Sequence, residues 1–287
     1  MKSRNVINSL YGHMVDMGGI PVRQPLPTQA LSQIDPFLLF HHGSFHIAEG
    51  VHPLQAGVGP HPHRGFSPVT IVLDGEVHHR DSLGNSNVVG AGGVQWINAG
   101  KGIVHSERPS VELAKTGGTM EVIQLWVNTP AFAKLDPAAY QSVLASDLPE
   151  LDLNGGKVQV ITGTLNEIKG PIKSSLDLLV ARIHYSSAEP LNLPVPQHFN
   201  AALYIRSGKV KLAGYGSLEE NTLYHLDSDG DGLILMETVN FDAILIAGAP
   251  IGEPVANYGP FVMNNQTEIM EALRDYQQGK MGVLIEE

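Results

Sequence analysis

The sequence predicts an all-β chain built as two tandem antiparallel barrels, with a short helical linker and a helix at the C-terminal end. Three observations carry this reading. Glycine and proline are abundant, 31 and 19 of 287 residues, and long helix-type runs are few. That composition reads as short strands joined by tight turns. Strand-type runs recur at close spacing with little but turn dipeptides between them, as in a sandwich or barrel. The pattern also occurs twice, since Val72–Val77 matches Ile205–Val210 at a shift of 133 positions, so two copies of one barrel is the economical reading.

Element by element, Val69–Leu73 is a strand that Asp74-Gly75 turns back, and Glu76–His79 runs on to the turn dipeptide Gly84-Asn85. Val88-Val89 ends at the glycine-rich stretch 90–93, and Val94–Ile97 leads to a second one, Asn98–Gly102. From Thr129 to about Gly156 the rhythm changes. Lys134–Gln141 carries a helix start, with Asp136 placed as N-cap and Pro137 at the first helical position. Strand candidates resume at Val158–Ile161, Leu178–Ile183, Ala202–Ile205, Leu233–Met236 and Ile244–Ile246. Thr267–Gln278 is the best helix, with Ile269, Leu273 and Tyr276 on one face, Thr267 as cap and Gly279 at its end. The expected division is therefore a first barrel over 1–130, a linker over 131–156 and a second barrel over 157–287.

Composition excludes several function classes. Hydrophobic residues make up 43% of the chain against 16% charged, which rules out general disorder. The net charge of −11 gives no global attraction for phosphate backbones or anionic lipid, so direct nucleic-acid or membrane partners are not expected. Without cysteine there are no disulfides, thiolate nucleophiles or thiolate-bound metal. The first residues have no apolar block of signal-peptide length, so a cytoplasmic location is the expectation.

Ten of the 13 histidines lie at or before His105, which points imidazole chemistry to the first half. In Pro60-His61-Pro62-His63 the prolines favour an extended chain, and residues two apart in a strand share a face. His61 and His63 can therefore present two imidazoles to one point. His105-Ser106-Glu107 repeats the spacing. Brought together by an antiparallel meander, three nitrogens and one carboxylate oxygen suit Fe²⁺, Mn²⁺, Ni²⁺, Cu²⁺ or Zn²⁺ and leave an octahedral ion open positions. Other candidates are weaker. Asp227–Gly232 imitates the start of a calcium loop, but Thr238 stands where a bidentate glutamate is needed. In His78–Asp81 one imidazole could line the barrel, although a cross-strand or surface role is expected; Lys101 between two glycines is explained by turn chemistry.

Longer blocks carry a family resemblance. Asp35–Phe40, His61–Phe66, Gln95–Glu107 and Gln124–Asn128 in the first half, with Asn200–Tyr204, Gly252–Pro254 and Tyr258–Asn264 in the second, span nearly the whole chain in order. The chain resembles the cupin fold and, more closely, pirin. The resemblance implies a bicupin of two jelly-roll-like β-barrels with one mononuclear metal in the first, held by His61, His63, His105 and Glu107. Fe(II) is the first candidate, with Ni, Cu, Mn, Zn or Co as alternatives. Ser67 departs from the general cupin pattern, which has a glutamate there, and the histidine-rich stretch 40–46 departs from pirin. Extended, His41 and His42 face opposite ways, so at most one could approach a metal, and an ordinary structural or surface role is expected for them.

The repeat puts Pro194 and Pro196 where His61 and His63 stand, and Glu253 and Val255 opposite His105 and Glu107. Proline and valine offer no lone pair, so the second barrel is expected to be metal-free, with His198 and His225 as ordinary core or surface residues.

Bacterial pirin-like proteins include quercetin 2,3-dioxygenases, which open a flavonol ring and release carbon monoxide. The resemblance implies that class here, with a small aromatic substrate and O₂, Glu107 as the group able to take the flavonol proton, and Phe66 as a candidate to enclose the ring. Animal relatives act as iron-dependent co-regulators of transcription factors, so the alternative is a redox-responsive module that binds a protein partner without turnover.

Overall fold

The structure, a computed structural model, describes residues 1–286. Among them strands dominate, and the two α-helices are Val111–Thr116 and Gln266–Gln277. Among the described residues no helix is long and apolar enough to cross a membrane. The chain forms two compact units, one of residues 42–146 with 252–287 and one of residues 1–41 with 147–251.

The first of these carries the histidine motifs. One sheet runs in the order Val58–His63, Ile103–Pro109, Glu76–Asp81, Ser86–Gly90. A second runs Ala139–Val143, Val94–Asn98, Phe66–Asp74, Gly118–Asn128 and on to Phe37–Ile47, whose second half belongs to this unit. The strands of the first sheet, and those of the second from Ala139–Val143 to Gly118–Asn128, pair antiparallel. The turns fall where the glycines predict them: Gly75 sits at φ +72° with its Cα against the Thr119 carbonyl, where a Cβ would be 2.1 Å from that oxygen.

In the other unit the sheet order is Val6–Tyr11, Thr222–Leu226, Asn200–Leu212, Gly232–Gly248, Leu178–Tyr185, Gly156–Thr162, Glu150–Leu153. Its interior is filled by hydrocarbon, including Val160, Ile183, Val195, Leu203, Leu235 and Leu245. The two strands expected at Leu233–Met236 and Ile244–Ile246 are one long bent strand, with Glu237 and Asn240 at positive φ where its register shifts. The acidic turn 227–232 is tied to the chain's start, since Asp229 accepts hydrogen bonds from Lys2 and Asn5 and Asp231 accepts one from the Lys2 backbone.

Four expectations need correction. The division at 130 and 157 separates stretches that pack in one unit. Val6–Tyr11 pairs with Thr222–Leu226, and the C-terminal helix buries Ile269 and Ala272 against Val104, Phe261 and Met281. Second, Lys134–Gln141 is not a helix. A 3-10 turn covers Ala131–Ala133, and Ala139–Val143 is a strand on Val94–Asn98. The cap signals at Asp136 and Pro137 are local, and the ladder of Ala139–Val143 outweighs them. Third, Glu253 is no counterpart of His105. It lies beyond Gly248, in the unit of the first barrel, and accepts from the Ala131 backbone N–H and the Asn264 amide. Fourth, the final helix is capped by Asn265, which accepts from Glu268 N–H, rather than by Thr267; Gly279 does follow it at φ +71°.

Candidate metal centre

The strand Val58–His63 lies antiparallel to Ile103–Pro109 in a register that sets His61 opposite His105 and His63 opposite Ile103. Alternation then puts all three imidazoles on one face. Their ligand atoms lie within 4.8 Å of one another. Ring centroids are 4.7 Å apart for His61 and His63, 4.3 Å for His61 and His105, and 5.0 Å for His63 and His105.

The chemistry of this cluster fits a cation. His61 Nδ1 donates to the Gly59 carbonyl at 2.8 Å, which leaves the Nε2 lone pair free. Both nitrogens of His105 are buried without a hydrogen-bond partner, a costly state for an imidazole unless something else satisfies it. Burial, and then the neighbouring His61, hold His63 and His105 well below the ordinary histidine pKa, with the Pro260 carbonyl opposing this in part at His63. Both rings are therefore neutral at pH 7, as a metal ligand must be. The segment between the two histidine strands is held from outside. Arg64 donates from Nε to the Lys101 carbonyl and from its other nitrogens to Asp275 on the C-terminal helix. The buried Lys134 ammonium donates to the carbonyls of Gly65 and Val262 and to Asn128 Oδ1.

Glu107 is not a member of the group whose ligand atoms converge. Its carboxylate sits in a polar network instead: Oε1 accepts from Thr70 Oγ1 at 2.5 Å and from Gln95 Nε2, and Oε2 accepts from Gln124 Nε2 at 3.2 Å. The facing strand carries one extra residue between Val58 and His61, so Glu107 comes opposite Val58. Phe66 and Trp126 form an aromatic wall beside His63, at 5.1 and 5.6 Å from its ring and 4.4 Å from each other.

His79 proves to be interior. It is fully buried, stacks on Tyr140 at 4.1 Å and 12°, bonds Asp81 through Nε2 at 2.9 Å, and lies 5.4 Å from the His105 ring. Burial raises the Asp81 pKa, but the hydrogen bonds from His79 and Asn85 outweigh it and leave that carboxyl low. Burial also pushes the Tyr140 phenol up to about 12. None of the remaining histidines in the N-terminal stretch joins the triad. His41 bonds Gln24, His42 bonds Glu121, and His46 is exposed. Thr70, Gln95, Gln124 and Tyr140 escaped the sequence reading. Their signal was a polar side chain recurring among apolar ones on a buried strand, as in Val94-Gln95-Trp96-Ile97.

The Pirin family model matches residues 19–127, and the Pirin C-terminal cupin domain model matches residues 180–282. A Pseudomonas aeruginosa protein with the provisional name quercetin 2,3-dioxygenase PA2418 is 37% identical over 267 residues, 91% of this chain and 92% of its own. A Caulobacter vibrioides pirin-like protein is 35% identical over 284 residues, 98% of this chain and 100% of its own. The crystal structure of a quercetin 2,3-dioxygenase from Acinetobacter baumannii matches with a TM-score of 0.92 and 34% identity, covering 99% of this chain and 100% of that one. With two barrels of the cupin type, matching motifs along its length and relatives that cover almost all of it, the chain belongs to the pirin family.

Proposed function

We propose that this chain is a metal-dependent oxygenase that uses O₂ to cleave the central ring of a flavonol such as quercetin. The observation that carries the reading is the His61–His63–His105 cluster, in which His105 is buried with neither nitrogen partnered. The names of the relatives support the substrate class. His61, His63 and His105 would hold one divalent ion, Fe(II) in the cell, with Glu107 as the carboxylate beside them. Such an ion, when bound, supplies Lewis acidity and one-electron chemistry.

The chain's own residues supply the rest. Phe66 and Trp126, beside His63, would help to enclose an aromatic ring. Glu107 would take the proton of the flavonol hydroxyl, since a carboxylate can exchange a metal partner for a proton. Burial of the neutral imidazoles keeps protons from competing for their lone pairs. Aerobic incubation of Fe(II)-loaded protein with quercetin should remove the flavonol absorbance and release carbon monoxide. Unchanged absorbance with no carbon monoxide would sink the proposal.

A further inference from the structure

The surroundings of Glu107 carry more than its own identity does. Thr70 Oγ1 accepts from both amides, from Gln95 Nε2 at 3.1 Å and from Gln124 Nε2 at 3.0 Å, and gives its single proton to Glu107 Oε1 at 2.5 Å. Each amide nitrogen lies within hydrogen-bond reach of both Thr70 Oγ1 and the Glu107 carboxylate. The single donor and both acceptor sites of the hydroxyl are thus used within these four residues. The three donors come from three adjacent strands, Phe66–Asp74, Val94–Asn98 and Gly118–Asn128, so the fork is fixed by the sheet rather than by a loop. Thr70 and Gln95 are 3% and 1% exposed, and water does not replace them.

A carboxylate has about four lone-pair sites, two on each oxygen. Two on Oε1 and one on Oε2 are taken. We propose that Thr70, Gln95 and Gln124 are positioning residues that fix the direction of the Glu107 carboxylate beside the triad and leave it one open lone-pair site, on Oε2, for an ion held there. The fork then sets the direction of the carboxylate. This rests on the metal reading above, and the test separates the two.

Apoprotein is titrated with Co(II) against a chromophoric chelator, and the visible ligand-field bands of the bound ion are recorded. Thr70→Val keeps the shape and deletes the hydroxyl. It should weaken Co(II) binding by roughly 10- to 100-fold, the usual effect of losing an outer-shell partner, and shift the bands. Thr70→Ser, which keeps the hydroxyl, should restore wild-type binding and bands, and Gln95→Leu should act as Thr70→Val does. In a Glu107→Gln background, Thr70→Val should add almost nothing, because the two changes act through one contact. A Thr70→Val loss that persists in full in that background, an equal loss in Thr70→Ser, or wild-type behaviour in Thr70→Val would each overturn the positioning role while leaving the triad in place. Failure of the wild-type chain to bind Co(II), or wild-type binding by His105→Ala, would instead remove the metal reading and this inference together.

Discussion

Replacement of Lys134 by methionine tests how the segment behind the triad is held. The ammonium is 1% exposed and serves three acceptors, the carbonyls of Gly65 and Val262 and Asn128 Oδ1, at 2.7, 3.1 and 2.7 Å. Two effects oppose each other. Burial, only partly offset by Glu253 and Glu268, lowers the Lys134 pKa from 10.5 to about 8. At ~1.4 kcal/mol per pH unit this corresponds to about 3 kcal/mol of desolvation cost that methionine would recover. Three buried oxygens lose their donor, at ~2 kcal/mol each within the usual range for an orphaned polar group. The orphaned acceptors win, and Lys134→Met should destabilise its unit by about 3 kcal/mol. Tryptophan fluorescence during urea unfolding reads this unit selectively, because both tryptophans, Trp96 and Trp126, lie in it with Lys134. An unfolding midpoint equal to wild type, or higher, would refute the reasoning, since it would mean that burying the charge costs more than its hydrogen bonds return.

Gly65→Ala should be worse, because Gly65 sits at φ +83° and an added Cβ would lie 2.0 Å from the Val262 carbonyl oxygen; a loss of ~3 kcal/mol or more is expected in the same assay, and wild-type stability would count against this packing. His61→Ala should cut metal occupancy at least tenfold by elemental analysis while Ser67→Ala leaves it intact; equal losses would mean that the ligand set is wrong. His41, 6% exposed, is pulled down to about 4 by burial from an ordinary value of 6.5. Between those pH values the unfolded chain binds the proton and the folded chain does not, so stability falls as pH drops from 6.5 towards 4, by about 3 kcal/mol in all. Calorimetry of wild type and His41→Leu at pH 7 and pH 4.5 checks this, and an unchanged pH dependence in the variant would assign the acid sensitivity elsewhere.

The strands were legible because alternation and glycine turns are local properties. Val69–Leu73 lies inside Phe66–Asp74, and Val158–Ile161 inside Gly156–Thr162. Lys134–Gln141 misled for the same reason, since its cap residues are local while its strand partner, Val94–Asn98, lies some forty residues earlier in the chain. Tyr140 consequently faces His79 as part of a strand, an interior stack that no helical reading would place. The short helix Val111–Thr116 was missed although Ser110 caps it and Gly117 ends it; six residues are too few for a periodic signal.

The sequence by itself determined that His61 and His63 share one face of a strand, and His105 and Glu107 one face of another, because side-chain alternation depends only on the extended backbone. Tertiary structure decided the register that sets His61 against His105, the extra residue between Val58 and His61 that brings Glu107 opposite Val58, and the three strands that deliver Thr70, Gln95 and Gln124 to the Glu107 carboxylate. Register comes from the packing of whole faces against each other, which no short window contains. The triad could therefore be named from spacing, whereas the setting of the carboxylate had to be read from contacts between distant strands.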